Sequence, residues 1–216
     1  MTTAPRPDPE TGPETGWRGS RELWLDAAYG ALVEGGIDAV KIQPLAARLA
    51  LSRTSFYWFF KDRAALLEAL AELWAARTTA PLIAACEGYA ATETEAMLTV
   101  TAGFLDETFD SRLEFAARGW ALQDPAMRAR LHEADSRRLE ALVAMLMHWG
   151  HDPLDADVRA RAIYLVQIGY IAMQTAESLE TRIPRVANYV EIFTGRSPTD
   201  EELARFRALV LSRAAR

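Results

Sequence analysis

The sequence predicts an all-α protein, on three observations. From Ser20 onward apolar residues recur at three- and four-residue spacing; no segment sustains the two-residue alternation and β-branched enrichment of a strand; and capping residues, Gly and Pro punctuate the chain at helical lengths. At 216 residues, half of them apolar, the chain can bury a core as one large domain or two smaller ones. Its single cysteine, Cys86, excludes an intramolecular disulfide framework. No cationic leader with an apolar core and cleavage site opens the sequence, so a reducing cytoplasm is the expected setting. The longest apolar-rich run, Ala162 to Ala176, is interrupted by Tyr164, Gln167, Tyr170 and Gln174. It is shorter than the roughly 20 residues that cross a bilayer, so no membrane span is expected.

Residues 1–16 carry Pro5, Pro7, Pro9 and Pro13 with almost no apolar side chains, and read as a disordered arm. Trp24, Leu25, Ala28 and Leu32 form the first helix, which Gly35-Gly36 stops. A short second helix spans about Ile42 to Leu49, with Leu45, Ala46 and Leu49 inward and Pro44 in its first turn. Ala50-Leu51-Ser52 is a tight connection, and Ser52 can cap a helix over Arg53 to Phe60. Asp62 can cap the next, which carries Leu66, Leu67, Leu70 and Leu73 and ends near Thr79. The second and third helices are short, close and joined by about three residues, as in a helix-turn-helix. Behind them come helices near Glu93 to Phe109, Ser111 to Leu122, Pro125 to Trp149, Asp155 to Leu179 and Thr199 to Arg213. The last opens on a Thr199/Glu202 capping box. Thr181 to Arg196 reads as a connection with a helical turn. The expected division is an arm (1–16), a three-helix DNA-binding domain (17–65) and a larger helical bundle (66–216).

Charge separates these parts. The net charge is −6, yet between Lys41 and Arg63 five cations (Lys41, Arg48, Arg53, Lys61, Arg63) face only Asp62, giving +4 locally and −10 elsewhere. On a helical wheel Phe56, Phe59 and Phe60 share one arc, while Thr54, Tyr57 and Trp58 lie opposite with Arg53 on the flank. The phenylalanines can seat the helix, leaving a guanidinium, a hydroxyl, a phenol and an indole outward. These are groups that read base edges and hold phosphates. Lys61 and Arg63 follow where cations can clamp a backbone.

The run from Leu49 to Leu67, with its turn, serine, apolar-Tyr pair, aromatic cluster, lysine and leucine-rich helix, resembles the recognition segment of the tetracycline-repressor (TetR) family. Trp24 to Ala28, and Gly36 through Leu45-Ala46, fit that family's first two helices. The resemblance covers about Arg21 to Leu70. It implies that Gln43, Arg53 and Thr54 face bases and that Tyr57, Lys61 and Arg63 hold phosphates. With Lys41, Ser55 and Trp58 these make up the expected DNA-contacting set. Two positions depart from the family pattern: Ala50 stands where glycine is usual, and Lys41 replaces a threonine or serine, removing a side-chain cap and adding a cation.

In the bundle, Val158, Ala162, Leu165, Val166, Gly169, Ala172, Met173 and Ala176 follow three-and-four spacing, and Ile163, Ile168 and Ile171 add apolar surface on the other side. As in the family, this helix and the Thr199 helix are expected to pair with their copies in a homodimer, through Val158, Ala162, Leu165, Gly169, Met173, Leu203, Phe206 and Val210. A twofold dimer reads a palindromic operator in double-stranded DNA across one turn. The resemblance further implies a repressor released by a small-molecule effector. The candidate lining is Met97, Phe104, Trp120, Met145, Tyr164, Gln167, Tyr170 and Gln174, whose low charge favours a largely apolar or aromatic effector.

No nucleophile elbow or phosphate-cradling glycine loop occurs, and Cys86 has no histidine near it in sequence. His148, His151 and Asp152 flank a glycine at a helix end and read as a turn. No catalytic residue, metal or cofactor is expected. The competing readings are a regulator gated by a protein or by nothing, and an all-helical carrier or enzyme.

Overall fold

The computed structural model describes residues 19–106 and 108–214, and every regular element among them is helical. The arm expected over residues 1–16 lies outside the described residues. Helix α1 (Arg21–Gly35) is capped by the Ser20 hydroxyl, which accepts from the Leu23 N–H at 3.2 Å. It ends where Gly36 takes a φ of 71° and donates its N–H to the Leu32 carbonyl. A 3₁₀ turn (Ile37–Ala39) leads to α2 (Ile42–Arg48), α3 (Arg53–Phe56) and α4 (Arg63–Trp74). Asp62 caps α4 through the Ala65 N–H at 2.9 Å.

Beyond α4 the chain departs from expectation. It passes through a π-helical turn (Ala75–Thr79) directly into α5 (Ala80–Glu87). Pro81 has no N–H for the carbonyl four residues back, that of Arg77, a loss that commonly ends a helix. Here the freed Arg77 carbonyl accepts from the Asp110 N–H at 3.0 Å, and the helix widens by a turn instead of stopping.

Helix α6 (Glu93–Gly103) is shorter than its pattern suggested, because Phe104 leaves the helix to meet Phe109 at 5.0 Å between rings. Asp110, Asp124 and Asp152 then cap α7 (Ser111–Ala121), α8 (Pro125–His148) and α9 (Pro153–Ala172). Helix α9 ends well short of Leu179, and just past it Gln174 takes a φ of 49°. The stretch read as a connection is mostly helical: α10 (Leu179–Arg182), a 3₁₀ turn, and α11 (Val186–Thr194), whose Val186, Val190 and Phe193 face inward. Helix α12 (Asp200–Ala214) opens on the expected capping box, with Glu202 and Thr199 bonding reciprocally at 2.7 and 3.2 Å.

Two apolar clusters form. One joins α1–α4 to α7 and the first half of α8, around Trp24, Phe56, Leu70 and Leu113. The other joins α5, α6 and α9–α12 to the second half of α8, around Met97, Leu142, Ala160 and Val190. At their junction lies a buried ionic group. The Arg138 guanidinium is fully enclosed and places all five N–H donors: bidentate on Glu114 at 2.9 and 3.0 Å, on Thr78 at 2.7 Å, on Thr79 at 3.0 Å and on the Tyr164 hydroxyl at 2.8 Å. Glu114 also accepts from the Trp74 indole at 2.7 Å and from Arg118 at 2.8 Å. Burial would raise its carboxyl, but Arg138 and Arg118 outweigh it and hold the group below its usual range.

Substituting Arg138→Met leaves the Glu114 carboxylate enclosed without its main partner, and should cost about 3–5 kcal/mol in urea unfolding. The Glu114→Leu/Arg138→Met double variant should be more stable than that single variant. At the other end of the bundle, Glu202 ties α12 to α6 through the Thr92 and Thr94 hydroxyls. Against burial, these bonds and those from Thr199 lower its carboxyl from 4.5 to about 2. A depressed carboxylate stabilises the fold fully above its unfolded value and loses that contribution as pH falls through its folded one. Wild type should therefore exceed Glu202→Gln in stability at pH 7, with the gap closing between pH 4.5 and about 2 in denaturation series.

Candidate nucleic-acid interface and ligand cavities

Helices α2 and α3 are held from below by Leu45, Ala46 and Phe56, which reach Trp24 on α1; the Trp24 and Phe56 rings meet edge to face at 5.3 Å. Ser52 caps α3 as expected, accepting from the Ser55 N–H at 3.2 Å. The regular helix ends at Phe56, not Phe60. The chain continues in tighter turns, in which the Phe59 and Phe60 N–H groups both donate to the Phe56 carbonyl at 3.0 Å. Phe60 turns inward and stacks on Phe56 at 5.5 Å. This shortening leaves Tyr57 and Trp58 outward, 53% and 64% exposed.

The expected DNA-contacting residues divide by surroundings. Lys41, Gln43, Arg53, Thr54, Tyr57, Trp58 and Lys61 are exposed. Among the described residues, Lys41, Arg53 and Lys61 form no ion pair. Ser55 is buried, its hydroxyl donating to the Ser52 carbonyl at 2.7 Å, so it stiffens the turn instead of facing outward. Arg63 is committed internally, donating to the Val40 and Ile37 carbonyls at 2.6 and 3.0 Å and so bracing the α1–α2 connection. Arg48 is likewise paired, bidentate on Glu34 at 2.8 and 2.9 Å. The structure thus separates three outward cations from two bracing ones. Sequence spacing had grouped all five.

Two local details follow from the departures at Ala50 and Lys41. Ala50 adopts a φ of 53°, the left-handed region where a Cβ is crowded. Lys41 stands at the N-cap of α2 and supplies no side-chain bond.

Two cavities adjoin in the bundle. One, about 50 Å³, is bordered by Phe104, Ile163, Val186 and Phe193. The other, about 400 Å³, is an open cleft between α7 and the end of α9, touched by Val33 of α1, Phe115 and Gln174. Gln167, Tyr170 and Arg182 line both and form the partition between them. Of the eight expected lining residues, Phe104, Gln167, Tyr170 and Gln174 border these two spaces. Met97 is fully buried in the core, and Tyr164 belongs to the ionic group. Trp120 lies by α4 with its indole on Asp124 at 3.0 Å, and Met145 borders a separate groove beside Cys86 and Trp149. Sequence reading missed Arg182, Arg185 and Tyr189. They sit on α10, the following turn and α11, the segment taken as a connection, although the Val186, Val190, Phe193 spacing marked a helix there.

On the outside of α9, Val158, Leu165 and Met173 are 57%, 62% and 79% exposed, with Ala162 exposed between them and Gly169 half-buried. The α12 candidates face otherwise. Phe206 and Val210 are buried in the chain's own core against α6, and Leu203 is half-buried beside them, so this stripe is occupied within one chain.

Residues 25–70 match the family of bacterial regulatory proteins, tetR family. Over 52 residues the chain is 42% identical to the class D tetracycline repressor of Escherichia coli and to the class H repressor of Photobacterium damsela subsp. piscicida. That stretch is 24% of this chain and 24% of each of those proteins, so the match spans about a quarter of their length. Among solved structures, the chain resembles a Rhodococcus sp. protein described as a TetR-family transcriptional regulator (TM-score 0.60, 17% identity, 81% of this chain and 98% of that one). It also resembles the TetR-family regulator PfmR of Thermus thermophilus (0.59, 18%, 82% and 99%) and Salmonella enterica GusR (0.56, 13%, 91% and 95%). At these identities the structural likeness carries the fold alone.

Replacing Ala50 by glycine should remove the left-handed strain at the turn. A gain of about 0.5–1 kcal/mol in chemical denaturation is expected, with unchanged helical content by circular dichroism.

Proposed function

We propose that this chain, whose residues 25–70 match the TetR family of bacterial regulators, represses transcription as a homodimer on a palindromic operator and is released by a small, largely apolar or aromatic effector. The observation that carries the DNA-reading half is the surface of α2, α3 and the turn after them. There Lys41, Arg53 and Lys61, free of ion pairs among the described residues, surround Gln43, Thr54 and Tyr57 on a chain that is otherwise acidic. Arg53, Gln43 and Thr54 take base edges in the major groove; Lys41, Tyr57 and Lys61 take phosphates. The exposed apolar stripe of α9 supports a twofold interface, since a helix with Leu165 and Met173 in water gains by covering them. The adjoining cavities support an effector, and the cleft's contact with Val33 brings it against α1, which carries the reading helices. Release requires that the effector bind more tightly to the arrangement that reads DNA poorly.

The test is selection of sites from a genomic library at fixed salt, followed by titration of single variants. Arg53→Ala should cost about 1–3 kcal/mol and relax preference at one position per half-site. Lys61→Ala should weaken all sequences alike and lower the salt slope by about one. Identical effects from both variants would refute the division of roles, and absence of any palindromic preference would refute operator binding.

A further inference from the structure

We propose that the paired cavities bind an amphipathic organic carboxylate, its apolar or aromatic body crossing the partition into the smaller space and its carboxylate on Arg182 and Gln167 at the partition. This rests on the effector reading above and gives that effector a charge. Three observations carry it. First, neither cavity has an Asp or Glu among its described lining residues, whereas arginines border both: Arg182 in each, Arg185 at the smaller space and Arg112 at the cleft. On a chain of net charge −6 this is a local inversion of sign. Second, Arg182 is half-buried with its guanidinium 5.1 Å from the centre of the Tyr170 ring, and among the described residues that guanidinium has neither an ion-pair nor a hydrogen-bond partner. The neighbouring Glu177 is occupied, both its oxygens held by Arg185 at 2.8 Å. Burial pushes the Arg182 guanidinium down from its usual value, outweighing the opposite pull of Tyr170 and Glu177. Third, Gln167 is nine-tenths buried, borders both cavities and makes no side-chain hydrogen bond among the described residues. Its amide is a ready donor beside Arg182.

The smaller space at about 50 Å³ has room for a few waters, so a ligand's body enters it only if the partition with the adjoining cleft, about 400 Å³ and in the range of ligand sites, gives way. Tyr170 closes one against the other, its hydroxyl bonded to that of Tyr189 at 3.0 Å. A body seated beyond the partition breaks that bond and leaves the carboxylate in reach of the guanidinium that stood over the Tyr170 ring.

The full chain is titrated by calorimetry with benzoate, 3-phenylpropionate and octanoate and with their primary amides, and binding is read a second time as loss of the selected operator in a mobility-shift assay. At least one acid should bind saturably and at least tenfold more tightly than its amide. Arg182→Gln should abolish that preference, Arg182→Lys should retain part of it, and thermal melting of each variant shows that the fold persists. Gln167→Leu should weaken the acids more than the amides. Equal binding of acid and amide, or an Arg182→Gln variant that still prefers the acid, overturns the headgroup assignment while leaving an effector in place. Failure of all three acids while an amide binds does the same. If neither acids nor amides bind, and a broad neutral metabolite set neither binds nor releases operator, the effector reading falls as well.

Discussion

The fold turns on the enclosed pair Arg138 and Glu114. Apolar contacts are non-directional and let helices slide, whereas a guanidinium with all five donors placed admits one arrangement of its partners. The group draws on four elements: Thr78 and Thr79 on the π-helical turn, Glu114 on α7, Tyr164 on α9, and Arg138 itself on α8. The helix that leaves the reading domain is therefore fixed to the bundle by geometry as well as by burial. Trp74, at the end of α4, joins the same carboxylate through its indole. Removing water from two charges is expensive, so such a pair is weak as a source of net stability and strong as a specification of position once every donor is satisfied.

Asp110 performs a related task at the start of α7. One carboxylate oxygen caps the helix through Leu113 at 2.9 Å, the other accepts from the Tyr29 hydroxyl of α1 at 3.0 Å, and its own N–H meets the carbonyl that Pro81 leaves free. Arg77 lies over the Tyr29 ring at 4.9 Å and within 3.7 Å of Asp110. A shift of α7 is thus felt directly by α1 and by the π turn. The same helix supplies Ser111, Arg112 and Phe115 to the open cleft.

The reading domain was the most legible part of the sequence because its elements are set by local chemistry: Ser52 and Asp62 cap where they were expected to, Gly36 stops α1, and Phe56 seats α3. What was not legible depended on residues distant in sequence. Nothing near Pro81 announces that Asp110 will take the Arg77 carbonyl, so the continuation into α5 was invisible. Arg63 and Arg48 looked like neighbours of Arg53 and Lys61 until the fold brought Val40, Ile37 and Glu34 to them. Phe206 and Val210 lie on an apolar stripe that fits a second copy as well as it fits α6, and spacing does not distinguish the two. The arginines of the bundle's lining were missed for a different reason. Arg182 and Arg185 sit on α10 and the Pro184 turn, just before the Val186, Val190, Phe193 spacing begins, in a stretch with too few turns for periodicity to register.

The position of Tyr164 relative to Gln167 and Tyr170 connects the cavity to this framework. All three lie on α9, Tyr164 one turn before Gln167 and Gln167 one turn before Tyr170. Tyr164 holds Asp135 at 2.6 Å and accepts from Arg138, while Tyr170 holds the partition closed. A helix carries displacement along its axis as a stiff body, so a ligand that moves Tyr170 strains the bonds that Tyr164 makes two turns away. Those bonds are directional, and the one from Arg138 is fully enclosed, where a hydrogen bond is stronger than in water. Coupling of this kind needs no continuous wire of contacts, only an element whose two arrangements are both biased by the ligand and by the reading domain. Helix α9 borders both cavities at its C-terminal turns and, through Arg138, Glu114 and Trp74, is bonded on to the end of α4.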